Sequence, residues 1–170
     1  DMDPADWQPF GICYNPLDDT HRRLQGTIYM ASPDGRQVIS PCLLRTGLTQ
    51  AGYGVLAPPE HVPLNHGAAG DDGIYLADSD GGPRRLLISF ADLVAALPGL
   101  PASETGDFYG FHLKYNPQGT RIMLVLRWKP RDGGRLQNNV VTLSADGTEP
   151  HVAIPHTVWT VKGGHHPNWQ

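Results

Sequence analysis

The sequence is poor in the features that most directly assign a class. It has no run of 18 apolar residues, so no membrane-spanning helix is expected. It has no basic run and a net charge of -4, so nucleic acid is not an expected partner. That charge does not decide for or against an acidic substrate, because local patches matter more than the total. No signal peptide is visible. The sequence opens on DMDPADW without a start methionine and reads as a processed or truncated chain. Only two cysteines occur, Cys13 and Cys42, and they leave the compartment open. Two half-buried strand thiols are the expected reading; a disulfide, which requires an oxidising compartment, is the alternative.

Turn formers, by contrast, are abundant. The 170 residues include 20 glycines and 16 prolines, high for a helical protein. The length suits one domain with a real core.

Internal repetition is the strongest signal. FGICYNP (10–16), FHLKYNPQG (111–119) and HHPNWQ (165–170) align on Tyr14, Tyr115 and Trp169, each followed by Asn or Gln. A second pattern aligns IYMASPDG (28–35), IYLADSDG (74–81) and VVTLSADG (140–147), each a β-rich run ending in a D-G turn. The clearest unit runs HLKY, NPQG, TRIMLVLRW, a loop, NVVTLS, ADGT, EPHVAI. That order predicts a four-stranded antiparallel meander.

Meanders at a period of about 45–50 residues mark a β-propeller. The expected fold is therefore all-β, a partial propeller in one domain. Its blades are expected over 1–41, 42–89 and 103–155, with the first, innermost strand of a fourth over 156–170. The middle blade is expected to start with LTQAGYGVLAPP. One segment departs from this: SFADLVAALPGLPA has helical spacing and predicts an inserted helix over about 90–98. Propellers close with four to eight blades, so the rest of the ring is expected from a longer chain or a second copy.

His112 and His166 hold equivalent places in adjacent repeats, at the head of an innermost strand. They are expected to converge near the channel, as a transition-metal site requires. His165 is a further ligand or supports one. Gln170 or absent blades supply the remainder. His66, in the loop EHVPLNHGAAGDD, is a candidate for a substrate role, because propeller loops carry function. Arg127 and Trp128 end a strand and are read as packing between blades.

The segments AGYGVLAPP, DDGIYLADSDGG, FHLKYNPQGTRIMLVLRW and GGHHPNW resemble the β-propeller polysaccharide lyases, in particular oligogalacturonate lyase and the ulvan lyases. The D-G strands alone occur in any TolB-like propeller; the histidines are more particular. The resemblance implies a seven-bladed ring that cleaves uronate-containing polysaccharide or oligosaccharide by β-elimination. It implies manganese or zinc held by His112, His165 and His166, and an extracellular or periplasmic location. Elimination across C4–C5 of a uronate needs a base for the C5 proton, a cation on the carboxylate and an acid for the leaving oxygen. His66 is the candidate base, Arg45 or the metal the cation, and Tyr53 the acid. The alternative is a non-catalytic TolB-like propeller that binds protein or glycan.

Overall fold

The computed structural model describes residues 1–162 and 166–170. The chain is mostly β, in three antiparallel sheets. The first is a hairpin of β1 (Phe10–Asn15) and β2 (Thr20–Gln25). The second is a meander of β3 (Met30–Ala31), β4 (Gln37–Ser40), β5 (Gly73–Asp78) and β6 (Arg85–Ser89). The third is a meander of β7 (Gly106–Tyr115), β8 (Arg121–Pro130), β9 (Gln137–Ser144) and β10 (His151–Ile154). Three short α-helices and a 3-10 turn (Pro59–His61) interrupt them among the described residues: α1 (Leu43–Thr46), α2 (Phe90–Ala96) and α3 (His156–Lys162). The described residues form no closed ring, and no helix among them is long and apolar enough to cross a membrane.

The third sheet follows the strand order expected from its turns. Asn116 organises the first turn. Its side-chain Oδ1 accepts from the backbone N–H groups of Thr120 (2.8 Å) and Arg121 (2.9 Å), and its carbonyl accepts from Gly119 N–H (3.0 Å). Gly119 takes φ +70°, which a side chain would oppose. Asn116→Ala removes four side-chain hydrogen bonds, two accepted from the backbone and two donated to Gln118 and Thr120, and is expected to cost about 1–2 kcal/mol, read as a lower urea midpoint at unchanged slope.

The second sheet divides the chain differently from the expected blades. β3 pairs with β4 and β4 pairs with β5, so this run does not form the outer half of a first blade and a boundary at 41 falls inside this sheet. The S-P-D-G turn joins its first two strands and is the counterpart of N-P-Q-G, not of the later D-G turns. Gly35 takes φ +71°, nearly the Gly119 value, and its N–H donates to Ser32 O as Gly119 N–H donates to Asn116 O. The turns at Asp78–Gly81 and Ser144–Gly147 join third to fourth strands. A D-G pair specifies a local reversal and carries no information about position in a sheet.

Two other expectations differ. LTQAGYGVLAPP contains no strand; it follows α1 as turns and coil within the long connection from β4 to β5. After β10, the chain forms α3 where a linker and strand were expected, and residues 166–170 are irregular. Pro155 stands just ahead of this helix, and Val158 and Trp159 N–H groups both donate to its carbonyl, which closes the first turn. The expected inserted helix is α2. Ser89 caps it, accepting from Asp92 N–H (3.0 Å) and donating to the Asp92 carboxylate (2.6 Å).

One core joins the second and third sheets. It includes Ile39, Ile74 and Leu76 from one side, Phe108, Leu113, Leu124 and Leu126 from the other, and Phe90 and Leu93 from α2. Gly110 permits the close approach of β7: a Cβ there would lie 3.0 Å from Pro41 Cβ and 3.2 Å from Phe90 Cζ. The hairpin packs separately, through Leu24 against Val38 and Ala77. Cys13 and Cys42 are both free thiols; Cys13 is half-buried in β1, and Cys42 is buried just before α1 rather than in a strand.

Candidate functional site

β7 is a regular strand with one extra residue. Phe108 points into the shared core, and so do Leu113 and Tyr115, which have the opposite parity. The switch occurs where the pairing shifts, between Phe111↔Val125 and Lys114↔Met123, so that two residues face Leu124 alone. This is a β-bulge, and His112 occupies it with φ +46°. A left-handed backbone at a residue other than glycine costs of order 1 kcal/mol and persists because the surrounding ladder enforces it.

The bulge aims the His112 ring out of the alternating pattern. Its Nδ1 shares a 2.7 Å hydrogen bond with the hydroxyl of Tyr29, just before β3. Its ring lies 3.9 Å from Phe111 and 4.8 Å from His166, centroid to centroid. The C-terminal residues reach this place by running beside the end of β7. Lys114 Nζ donates to Pro167 O (3.0 Å), and Trp169 Nε1 donates to Lys114 O (3.4 Å). His112 and His166 thus lie side by side, but His166 sits in an irregular segment and not at the head of an innermost strand as expected. His165 lies outside the described residues.

Around this pair, Gln50, Tyr53, Phe111, Val125, Arg127 and Trp159 complete a small cleft. It encloses about 80 Å3, the room of a few waters. His166 and Tyr53 stand exposed at its mouth, and the Tyr53 ring meets Phe111 edge-on at 5.6 Å. Burial is the largest influence on His112 and drives its pKa down to about 4. The nearby His166, Lys114 and Arg127 act in the same direction. The imidazole is therefore neutral at neutral pH. Burial also brings Arg127 down to about 10, which leaves it charged.

The remaining sequence candidates lie elsewhere. Arg45, in α1, is buried, and its Nη1 lies 3.2 Å from Asp72 Oδ1. Asp72 Oδ2 accepts from Asn65 Nδ2 (2.9 Å), which also donates to Phe108 O (2.7 Å). This is an internal ion pair, which occupies Arg45. His66 is exposed on the same connection, next to Gly67, whose N–H donates to Asp107 Oδ1 (2.8 Å). The connection attaches at Phe108, roughly 14 Å along β7 from His112. Of the three catalytic candidates, only Tyr53 comes together with the histidine pair.

Sequence reasoning misses Tyr29, Gln50 and Trp159 as neighbours of the site. It reads Arg127 as a packing residue. A signal for Arg127 is present: a charged side chain inside the buried run IMLVLRW needs partners, and no acidic residue stands nearby in that strand.

For a metal, the described residues offer two imidazoles and no group of three histidine, cysteine or acidic side chains. The chemistry of this pair suits ligation. His112 is neutral, and Tyr29 can accept from Nδ1–H, which leaves the Nε2 lone pair free. Comparison with family models, curated proteins and solved structures found no match.

Proposed function

We propose that this chain is part of a β-propeller and that the His112 cleft is a metal-assisted site of the polysaccharide-lyase kind, acting on uronate-containing saccharides. The observation that carries this reading is the meeting of His112 and His166, one from a strand bulge and one from the C-terminal residues, with Tyr29 holding the His112 ring. Two four-stranded meanders sharing one core support the propeller part.

In this reading, His112 and His166 would hold manganese or zinc, with His165 as the third ligand. Bound there, such a metal would supply a Lewis acid for the uronate carboxylate. Tyr29 orients His112 and keeps Nε2 available. Tyr53, exposed at the rim, is the phenol placed to protonate the leaving C4 oxygen; the described residues of the cleft are assigned no base for the C5 proton. Phe111 and Val125 give the cleft its apolar lining. No step is assigned to His66 or Arg45, which do not reach it.

The second reading is a non-catalytic propeller that binds glycan or protein. The small enclosed volume favours it, since a sugar ring would rest on the rim rather than enter.

Elemental analysis of the purified protein tests the first reading. About one manganese or zinc per chain is expected, lost in the His112→Ala/His166→Ala double variant. Metal-loaded protein given uronate polysaccharide is expected to yield products with the ultraviolet absorbance of a conjugated double bond. No metal in the wild-type protein, or metal retained in the double variant, removes the site from consideration and leaves the binding reading.

A further inference from the structure

We infer that α3 is a lid over the His112 cleft, with Trp159 as its plug and a weak seat on β9 that lets it open. The inference goes beyond the proposed chemistry, because it concerns access to the cleft whatever the cleft receives.

Trp159 is one of the residues that close the cleft around His112. His156 and Thr160, on the adjoining face of the helix, border a second hollow of about 370 Å3 against Trp128, Leu136 and Gln137. α3 therefore has open space along two of its faces rather than a packed layer. Its burial is correspondingly thin. Val158 is 47% exposed and Val161 78%, while His156 and Trp159 are half-buried.

The helix has little to hold it shut. Four of its seven residues, Thr157, Val158, Thr160 and Val161, are β-branched and disfavour helix. A helix this short depends on packing for its stability. Its contact with β9 supplies little. One hydrogen bond among the described residues ties α3 to the sheet, from His156 N–H to Asn139 Oδ1 (2.9 Å). At the same contact Gln137 Oε1, Asn139 Nδ2 and His156 Nδ1 are buried without a partner. Each such group is better solvated in water, so lifting α3 hydrates all three and recovers the cost of burying them. Closed and open forms are therefore close in free energy. The closed cleft encloses only about 80 Å3, and displacement of Trp159 is what gives a larger ligand entry.

The test joins two measurements on chelator-treated protein, so that no bound metal shields the histidines. Hydrogen exchange read by mass spectrometry reports opening of α3, and carbethoxylation by diethyl pyrocarbonate reports access to His112, which is 9% exposed. In the wild-type protein the amides of α3 are expected to exchange at least about a hundredfold faster than those of Val140 to Leu143 in β9. Val158→Ala/Val161→Ala raises helix propensity at two exposed positions. It is expected to slow both α3 exchange and His112 modification about fivefold. Thr160→Pro breaks the helix and is expected to speed both at least about tenfold. Slow exchange in β9 throughout shows that His112 is reached by local opening and not by global unfolding. Exchange of α3 as slow as that of β9, or a His112 rate unchanged in both variants, overturns the proposal. The alanine variant decides even if the proline variant folds poorly. Failure here leaves metal content and lyase activity untouched as tests of the proposed function; failure of those leaves the lid standing.

Discussion

Asp72→Ala is expected to destabilise the protein by about 3–5 kcal/mol, the cost of stranding a buried charge. Asp72 is 1% exposed and Arg45 8%. The carboxylate accepts from Asn65 and faces the Arg45 guanidinium, and its own backbone carbonyl accepts from Phe90 N–H at the start of α2 (2.8 Å). Arg45 Nε and Asp72 Oδ1 make no well-aligned hydrogen bond, so charge rather than a bidentate fork holds the pair. Removing the carboxylate leaves Arg45 unpaired and Asn65 short of an acceptor. The double variant Arg45→Met/Asp72→Leu is expected to regain most of the loss, because apolar replacement of both partners removes the desolvation cost along with the attraction. Urea denaturation of the three proteins measures both effects. A loss below about 1 kcal/mol for the single variant would mean that the pair is solvated, and would return Arg45 to the list of groups free to meet a substrate.

The second large effect concerns acid. In metal-free protein, stability is expected to fall as pH drops from about 6.5 to about 4, and His112 is the cause. The folded-state pKa is pushed down to about 4 from an ordinary 6.5. Between these values the unfolded chain binds a proton at this residue and the folded chain does not. Stability therefore rises with pH across the window, is complete above 6.5, and is lost progressively on the way down to 4. The size of the shift corresponds to about 3 kcal/mol at most. His112→Asn, which cannot titrate, is expected to flatten this part of the profile. Chemical denaturation at half-unit pH steps, in the presence of chelator, compares the two proteins. An unchanged slope in the variant would assign the acid sensitivity to other groups.

Much of the third sheet is legible in the sequence. N-P-Q-G followed by a β-rich run, and A-D-G between two more, specify a meander by turn chemistry alone. The nearness of His112 and His166 does not follow from the repeat, because His166 comes from the irregular segment after α3 and not from a strand of a neighbouring unit. The second sheet is not legible either, because S-P-D-G, D-S-D-G and A-D-G look alike locally, while the identity of the strand beside each one is decided by packing some 40 residues away. The short β3, only Met30–Ala31, gives no periodicity to count. The surroundings of Arg45 and Arg127 are hidden from the sequence for the same kind of reason. Each stands near apolar residues in sequence, but the partner that neutralises Arg45 is Asp72, and the missing partner of Arg127 is an absence that no local window displays. α3 reads as an approach to a strand because HTVWTV is rich in β-branched residues, and its first-turn hydrogen bonds to Pro155 outweigh that preference.

The bulge in β7 has a genetic reading. Without His112, residues 108, 110, 113 and 115 would fall in a single unbroken alternation, with Gly110, Leu113 and Tyr115 already in phase with Phe108. The histidine is thus an addition to a strand that is complete without it. Three nucleotides separate a plain structural β7 from one that projects an imidazole toward His166. A lineage could gain or discard this chemistry by one in-frame codon, leaving every buried side chain of the sheet where it was.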